Sequence, residues 1–258
     1  TLACALPRTT TESWVARFAA GLAADQQLFP VALVGGDTVA TDGPLTLSLT
    51  AIGTVEQGQA LRRNGAVSGD DVYVSGTIGD AFLGLAVVQG RLDVADAVDS
   101  DWLIERFRLP TPRLALGAAL VGLASAAADV SDGLVADLGH ICETSRCSAR
   151  IERDAVPLSP AARRAVTEHQ PLRHSLLAGG DDYELVFTAP TQLRERLAEV
   201  ARDTGVALSR IGGIEPTPGD GAIVGVYDAS GDRIELGHGG YEHFQESQEE
   251  GRQGIAQG

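Results

Sequence analysis

The sequence predicts an α/β (α+β) protein of two lobes, a strand-rich N-terminal lobe over residues 1–75 and a larger α/β lobe over 76–244. Three observations lead there. Segments with strand character alternate with segments of helical period, the pattern of layered α/β proteins. Strands crowd the first part of the chain, and helices dominate from about residue 92 onward. The length of 258 residues suits one large domain or two modest ones, and 44% hydrophobic content is ordinary for a globular protein.

Taken in order, Leu2 to Leu6 is an apolar, strand-like run. Thr9 to Ser13 supplies N-caps for a helix with Trp14, Val15, Phe18 and Leu22 at helical spacing, stopped by Pro30. Val31 to Val34 predicts a short apolar strand running into Gly35-Gly36-Asp37-Thr38. Leu45, Leu47 and Leu49 alternate with Thr46, Ser48 and Thr50, as in a half-buried strand. Asp71 to Ser75 predicts a strand feeding Gly76-Thr77-Ile78-Gly79 and a helix from Ala81 to Gln89. Helices follow over Val98 to Arg108 and Arg113 to Ala124, then one that opens at Leu134. Ala149 to Ile151, Tyr183 to Thr188, Ala207 to Ile214 and Ala222 to Tyr227 predict strands, with a helix from Leu193 to Asp203 between the second and third. Residues 245–258 are polar and low in aromatics, so disorder is expected there.

Composition narrows the chemistry. A net charge of −15 disfavours a nucleic-acid partner, which needs a basic surface. It leaves a nucleotide open, because a bound metal can reverse the local field. All 20 basic residues are arginine. Without lysine there is no Walker A loop and no kinase-type strand lysine. Any phosphoryl chemistry must then rest on metal, arginine and backbone N–H groups. No apolar run approaches the roughly 18 residues of a membrane span, and no secretion leader is visible. Cys4, Cys142 and Cys147 are too few and too badly spaced for a zinc site or a disulfide framework, so a cytoplasmic location is expected. Methionine is absent and the chain opens directly on a strand-like run, from which an upstream part is expected to be missing.

Three acidic turns stand out: Gly36-Asp37-Thr38, Asp129 to Gly133, and Gly179 to Asp182. Each lies beside an apolar strand-like run, where α/β proteins build sites. Any one alone reads equally as a capping or turn aspartate. Together they would repel unless cations sat among them, and magnesium with nucleotide phosphates fits oxygen ligands of this kind. The N–H groups that open the helix at Leu134 are expected to add anion affinity. Arg63, in a glycine-bounded polar turn, could fork onto a phosphate or be a surface arginine. Gly76 to Gly79 could cradle an anion or be a plain strand-to-helix turn. Tyr241 could stack on a flat ring or plug the core. His140 reads as structural or exposed.

These stretches resemble the thiamine-monophosphate kinase family, of the aminoimidazole-ribonucleotide-synthetase-like superfamily. The resemblance is carried by Gly35-Gly36-Asp37-Thr38, Ala60 to Ala66, Gly69 to Thr77, Asp129 to His140, Gly179 to Leu185 and Gly240 to Phe244, in that order. It implies transfer of the ATP γ-phosphoryl group to thiamine monophosphate, direct and in line, with Mg²⁺ and no phosphoenzyme. By matching position it implies Asp37, Asp129 and Asp132 as metal ligands. Gly36, Asp37, Arg63 and Ser131 would contact ATP, and Asp181 and Tyr241 the thiamine substrate. Such motifs often carry glutamate where this chain has Asp181; the aspartate keeps the charge and shortens the reach. The family dimerises through its N-terminal lobe and carries an acidic segment upstream of residue 1. Little turnover is therefore expected of the chain alone. A sister ATP-dependent synthetase of the superfamily and a non-catalytic nucleotide or thiamine-phosphate binding module are the alternatives.

Overall fold

The structure is a computed structural model that describes residues 1–236 except 171, 218 and 220. Tyr241 and the 245–258 tail lie outside the described residues. The chain forms two compact units, Thr1–Glu56 and Gln57–Gly258.

In the first unit, strand β1 (Leu2–Pro7) is central, with β2 (Gly36–Thr41) parallel on one side and β3 (Thr46–Leu49) antiparallel on the other. Helix α1 (Glu12–Leu28) joins β1 to β2. The Thr11 hydroxyl caps it by accepting the Trp14 N–H at 3.3 Å. The helix stops two residues before Pro30, as expected from the bias against helix just ahead of proline.

Two expectations fail in this unit. Residues 31–35 are not a strand, because β1 offers ladder partners only from Gly36, which pairs with Leu2. Gly36 and Asp37 are thus strand residues rather than a turn. A Cβ on Gly36 would stand 1.9 Å from the Leu2 carbonyl oxygen, so this glycine is required by the strand pairing itself. Gly36→Ala is expected to cost about 2–3 kcal/mol, the scale of overpacking, read as a lower midpoint in thermal unfolding. The second failure concerns β3. Leu45, Leu47 and Leu49 alternate as expected but remain exposed, at 43%, 42% and 70%. Alternation sets where side chains point; burial needs a facing layer, and α1 buries none of its own residues.

The second unit is built on a seven-stranded sheet of order β10-β9-β6-β8-β4-β7-β5. Its strands are β4 (Asp71–Ser75), β5 (Ala126–Asp129), β6 (Ser148–Glu152), β7 (Leu185–Ala189), β8 (Leu208–Glu215), β9 (Val224–Tyr227) and β10 (Arg233–Ile234). Only β6 and β9 run parallel. Strand β4 lies between β8 and β7, so the boundary falls at 56/57 and not near residue 75.

The sheet is covered on both faces, which the period-2 geometry of strands makes legible. Val72, Val74 and Val186 point to one face, against Leu134, Leu138 and Ile141 of helix α5 (Leu134–Ser145). Tyr73 and Phe187 point to the other, with ring centroids 5.3 Å apart, against Leu116 of helix α4 (Leu114–Ala119) and Leu197 and Val200 of helix α8 (Arg194–Thr204). A second helical cluster joins α2 (Asp80–Val88), α3 (Ala97–Arg108) and α6 (Pro160–Glu168), through Leu83, Leu103 and Ala162. The short helix α7 (Leu172–Ser175) follows. Among the described residues no helix is long and apolar enough to cross a membrane.

Candidate active site

Strand β5 ends at Asp129, opposite Leu185 at the start of β7. The loop 129–133 and the turn 179–184 therefore meet at one end of the sheet. Three backbone hydrogen bonds join them: Val130 N–H to Glu184 O at 2.8 Å, Tyr183 N–H to Val130 O at 2.9 Å, and Asp181 N–H to Ser131 O at 2.9 Å. The approach is close enough that a Cβ on Gly180 would lie 2.1 Å from the Ser131 carbonyl oxygen. Strand β7 starts at Leu185, two residues later than the sequence predicts, because Asp181 and Tyr183 adopt left-handed backbone, with φ of 70° and 49°.

The helix starts do not serve anions as expected. At α5 the N–H groups of Ser131, Asp132 and Gly133 all donate to Asp137 Oδ2, at 2.9, 3.0 and 3.2 Å. A carboxylate of the helix's own first turn thus satisfies the donors that a phosphate would have used. At α2, Gly79 N–H and Ala81 N–H donate to Asp182 Oδ2 and Oδ1, at 2.7 and 3.2 Å. The Gly76 to Gly79 turn already holds a carboxyl group, and it belongs to a side chain of this protein. Burial pushes the Asp182 carboxyl up to about 7, against the pull of those two amides.

Carboxylates do gather on the outer side of the joined loops. The Tyr183 hydroxyl is raised above its ordinary value, first by burial and then by the charges of Asp181, Asp129 and Asp132. The backbone bonds between the two loops bring these acids to one end of the sheet. Arg63 reaches it too, with Nη2 3.9 Å from Asp129 Oδ1 and both side chains half-exposed. The backbone around Arg63 is pinned there: Ala127 N–H donates to Arg62 O at 2.8 Å, and the Thr144 hydroxyl donates to Arg63 O at 3.1 Å. Five sequence-predicted residues, Arg63, Asp129, Ser131, Asp132 and Asp181, are thus brought together in the second unit. Gly36 and Asp37 lie on β2 of the first unit, where Asp37 Oδ1 accepts the Thr38 N–H at 2.8 Å.

This donor set suits a hard divalent cation. The joined loops carry three carboxylates, and Arg63 is the one arginine paired with any of them among the described residues, at Asp129. Carboxylates open to water match Mg²⁺, which keeps several waters and takes one or two carboxylates plus phosphate oxygens. Asp132 also lies with Asp137 and His140 in a group whose ligand atoms are within 4.8 Å of one another. Asp137 is already committed to three amides through Oδ2, and half-exposed His140 sits 3.6 Å from Glu143.

Sequence reasoning gave no role to Tyr183 or Glu184, nor to the two arginines that grip Glu184, Arg106 and Arg113, and read Asp182 only as part of the acidic turn Gly179 to Asp182. The signal was present in Asp181-Asp182-Tyr183-Glu184: burial alternates along it, with Asp182 and Glu184 at 0% and 1% exposure and Tyr183 at 41%.

Comparison with known proteins gives the family. The AIR synthase related protein C-terminal domain matches residues 67–225, and the corresponding N-terminal domain matches residues 1–55. The chain is 46% identical over 212 residues to the thiamine-monophosphate kinase of Salmonella typhimurium, covering 82% of this chain and 64% of that protein, less than two thirds of its length. A thiamine-monophosphate kinase crystal structure from Stenotrophomonas maltophilia K279a is 44% identical, with a TM-score of 0.78 over 86% of this chain and 70% of that one. The structure of AaThiL complexed with AMPPCP and TMP is 27% identical, with a TM-score of 0.73 over 94% of this chain and 72% of that one. With a domain match across most of its length and such identity to these relatives, the chain belongs to the AIR synthase related family and, within it, to the thiamine-monophosphate kinases.

Proposed function

We propose that this chain transfers the γ-phosphoryl group of ATP to the phosphate of thiamine monophosphate, giving ADP and thiamine diphosphate, the last step of thiamine diphosphate biosynthesis. The observation that carries the reading is the backbone pairing of the 129–133 loop, which bears Asp129 and Asp132, with the 179–184 turn, which bears Asp181, and Arg63 beside Asp129. Support also comes from AaThiL, a relative solved with an ATP analogue and TMP together. An oxygen of the acceptor phosphate forms the new bond to the γ-phosphorus. The bond from that phosphorus to the β–γ bridging oxygen breaks, and ADP leaves. No group on the protein is phosphorylated.

Magnesium, when bound, would neutralise the crowded phosphates and the charge that develops during transfer. Asp129 and Asp132 are assigned as its ligands, and the family resemblance also gives Asp37 a metal-binding role. Arg63, Ser131, Gly36 and Asp37 are assigned to ATP. Arg63 suits that role because a planar guanidinium forks onto phosphate. Asp181 is assigned to the thiamine substrate, as is Tyr241 by family position. A chain with no lysine fits this chemistry, since positioning and metal charge supply most of the stabilisation. Homodimerisation is part of the reading, supported by the exposed leucines of β3 and an α1 with no buried residue. A cytoplasmic location is also part of it, in keeping with three cysteines that form no disulfide.

The test is ADP release from ATP and Mg²⁺ across a panel of phosphate acceptors, using the chain alone and the chain fused to the N-terminal segment of a relative. Release that depends on thiamine monophosphate is expected. Release with a different acceptor would point to a sister synthetase. Binding of nucleotide and thiamine monophosphate without release in either form would point to a binding module.

A further inference from the structure

The turn 179–184 carries its functional residues on one side and its anchors on the other. Asp181 and Tyr183 face the carboxylate cluster. Asp182 and Glu184 face inward, and each is tied to elements distant in sequence. Glu184, 1% exposed, is gripped from three directions. The Ser75 hydroxyl at the end of β4 donates to Oε2 at 2.6 Å. Arg106, near the end of α3, donates through Nη2 to Oε1 at 3.0 Å and to the Asp182 carbonyl at 3.3 Å. Arg113, just ahead of α4, forks onto the carboxylate, with Nε to Oε2 at 2.7 Å and Nη2 to Oε1.

Two features make this more than a buried ion pair. The Glu184 carbonyl accepts the Val130 N–H, so the residue held by the arginines also sets the position of the loop that carries Asp129 and Asp132. The turn also holds two non-glycine residues in left-handed backbone, which persists only where its surroundings over-determine it.

We propose that Arg106 and Arg113 are positioning residues, which act through the Glu184 carboxylate to hold the 179–184 turn and the 129–133 loop in register, so that Asp181 is presented to the acceptor substrate. What the turn presents Asp181 to rests on the function proposed above; the positioning itself does not.

The experiment has two arms. In the first, amide hydrogen exchange is followed residue by residue in the unsubstituted chain, Arg113→Ala and Arg113→Lys. The amides of Val130, Asp181 and Tyr183 are expected to lose protection by about tenfold or more in Arg113→Ala. Those of Gly69 and Ile214, bonded to each other's segments elsewhere in the unit, are expected to keep theirs. Lysine keeps the charge but cannot fork, so Arg113→Lys is expected to fall between. Should Arg113→Ala fail to fold, Arg113→Lys and Ser75→Ala carry the same comparison. Unchanged protection at the three loop amides in the variants that fold would overturn the proposal.

In the second arm, calorimetry compares thiamine monophosphate with Mg²⁺ and AMPPCP. Arg113→Ala is expected to weaken thiamine monophosphate binding about tenfold or more, the scale seen when an outer-shell partner is removed, and to weaken the nucleotide less, because the 129–133 loop depends on Glu184 only through the Val130 N–H bond. Equal weakening of both ligands, with a general drop in protection, would mean a merely structural role and would also overturn it. If the unsubstituted chain binds no thiamine monophosphate, the proposed function fails, and the exchange arm still decides the positioning.

Discussion

Replacing Asp129 and Asp132 together by asparagine is expected to lower phosphoryl transfer on the order of 10³-fold, the scale for removing groups that stabilise developing charge, without destabilising the fold. Both halves of the expectation follow from position. Asp129 is half-exposed, and the ion pair found for it is the 3.9 Å contact to Arg63. A pair so open to solvent contributes about 0–1 kcal/mol. Against that small loss stands the relief of crowding three carboxylates around Tyr183. The thermal midpoint should therefore hold or rise as turnover collapses, the usual trade where a site keeps like charges together for function. Turnover is to be measured in the fused form described above, with thermal unfolding of the same samples. A fall in midpoint with proportionate loss of activity would mean that these aspartates are structural.

Glu184→Ala should show the opposite pattern, a loss of stability of about 3–5 kcal/mol. The side chains of Arg106 and Arg113 are 11% and 19% exposed, so their guanidinium groups would remain largely desolvated with the shared carboxylate gone. Ser75 would lose its acceptor as well. For a unit of this size the loss corresponds to roughly 10 °C in thermal midpoint. Glu184→Gln keeps an acceptor oxygen for one arginine and is expected to cost less. Scanning calorimetry of the three chains orders them: unsubstituted, then Gln, then Ala. A midpoint within a degree or two for Glu184→Ala would show that solvent already screens the two arginines.

Much of the second unit could be read from sequence because its signals are local. Helix α3 follows an Asp96 cap and ends ahead of Pro110, and β4 is a short β-branched and aromatic run. What escaped had its cause elsewhere in the chain. The alanines of β5 carry little strand propensity, and they form a strand because β7 offers an edge to pair with. Residues 31–34 look more like a strand than Gly36 to Thr41, yet partner register decides which of them pairs. The leucines of β3 announce a buried face that α1 does not cover. In the site, Asp129, Ser131, Asp132, Asp181 and Arg63 were legible as motif residues. The expected anion cradles were not legible as filled, because Asp137 and Asp182 occupy the two helix starts from positions that only the fold brings close. The Glu184 clamp joins residues 71 and 78 positions apart in sequence, beyond the reach of any local pattern.

The most direct measurement is a calorimetric titration of AMPPCP into the chain with Mg²⁺, with a chelator in its place, and into the Asp129→Asn, Asp132→Asn double variant with Mg²⁺. Binding is expected in the first case and a loss of about tenfold or more in affinity in the other two, since Asp129 and Asp132 would hold a metal whose charge would offset that of the phosphates. Equal affinity in all three would contradict a metal-bridged nucleotide at the Asp129–Asp132 loop.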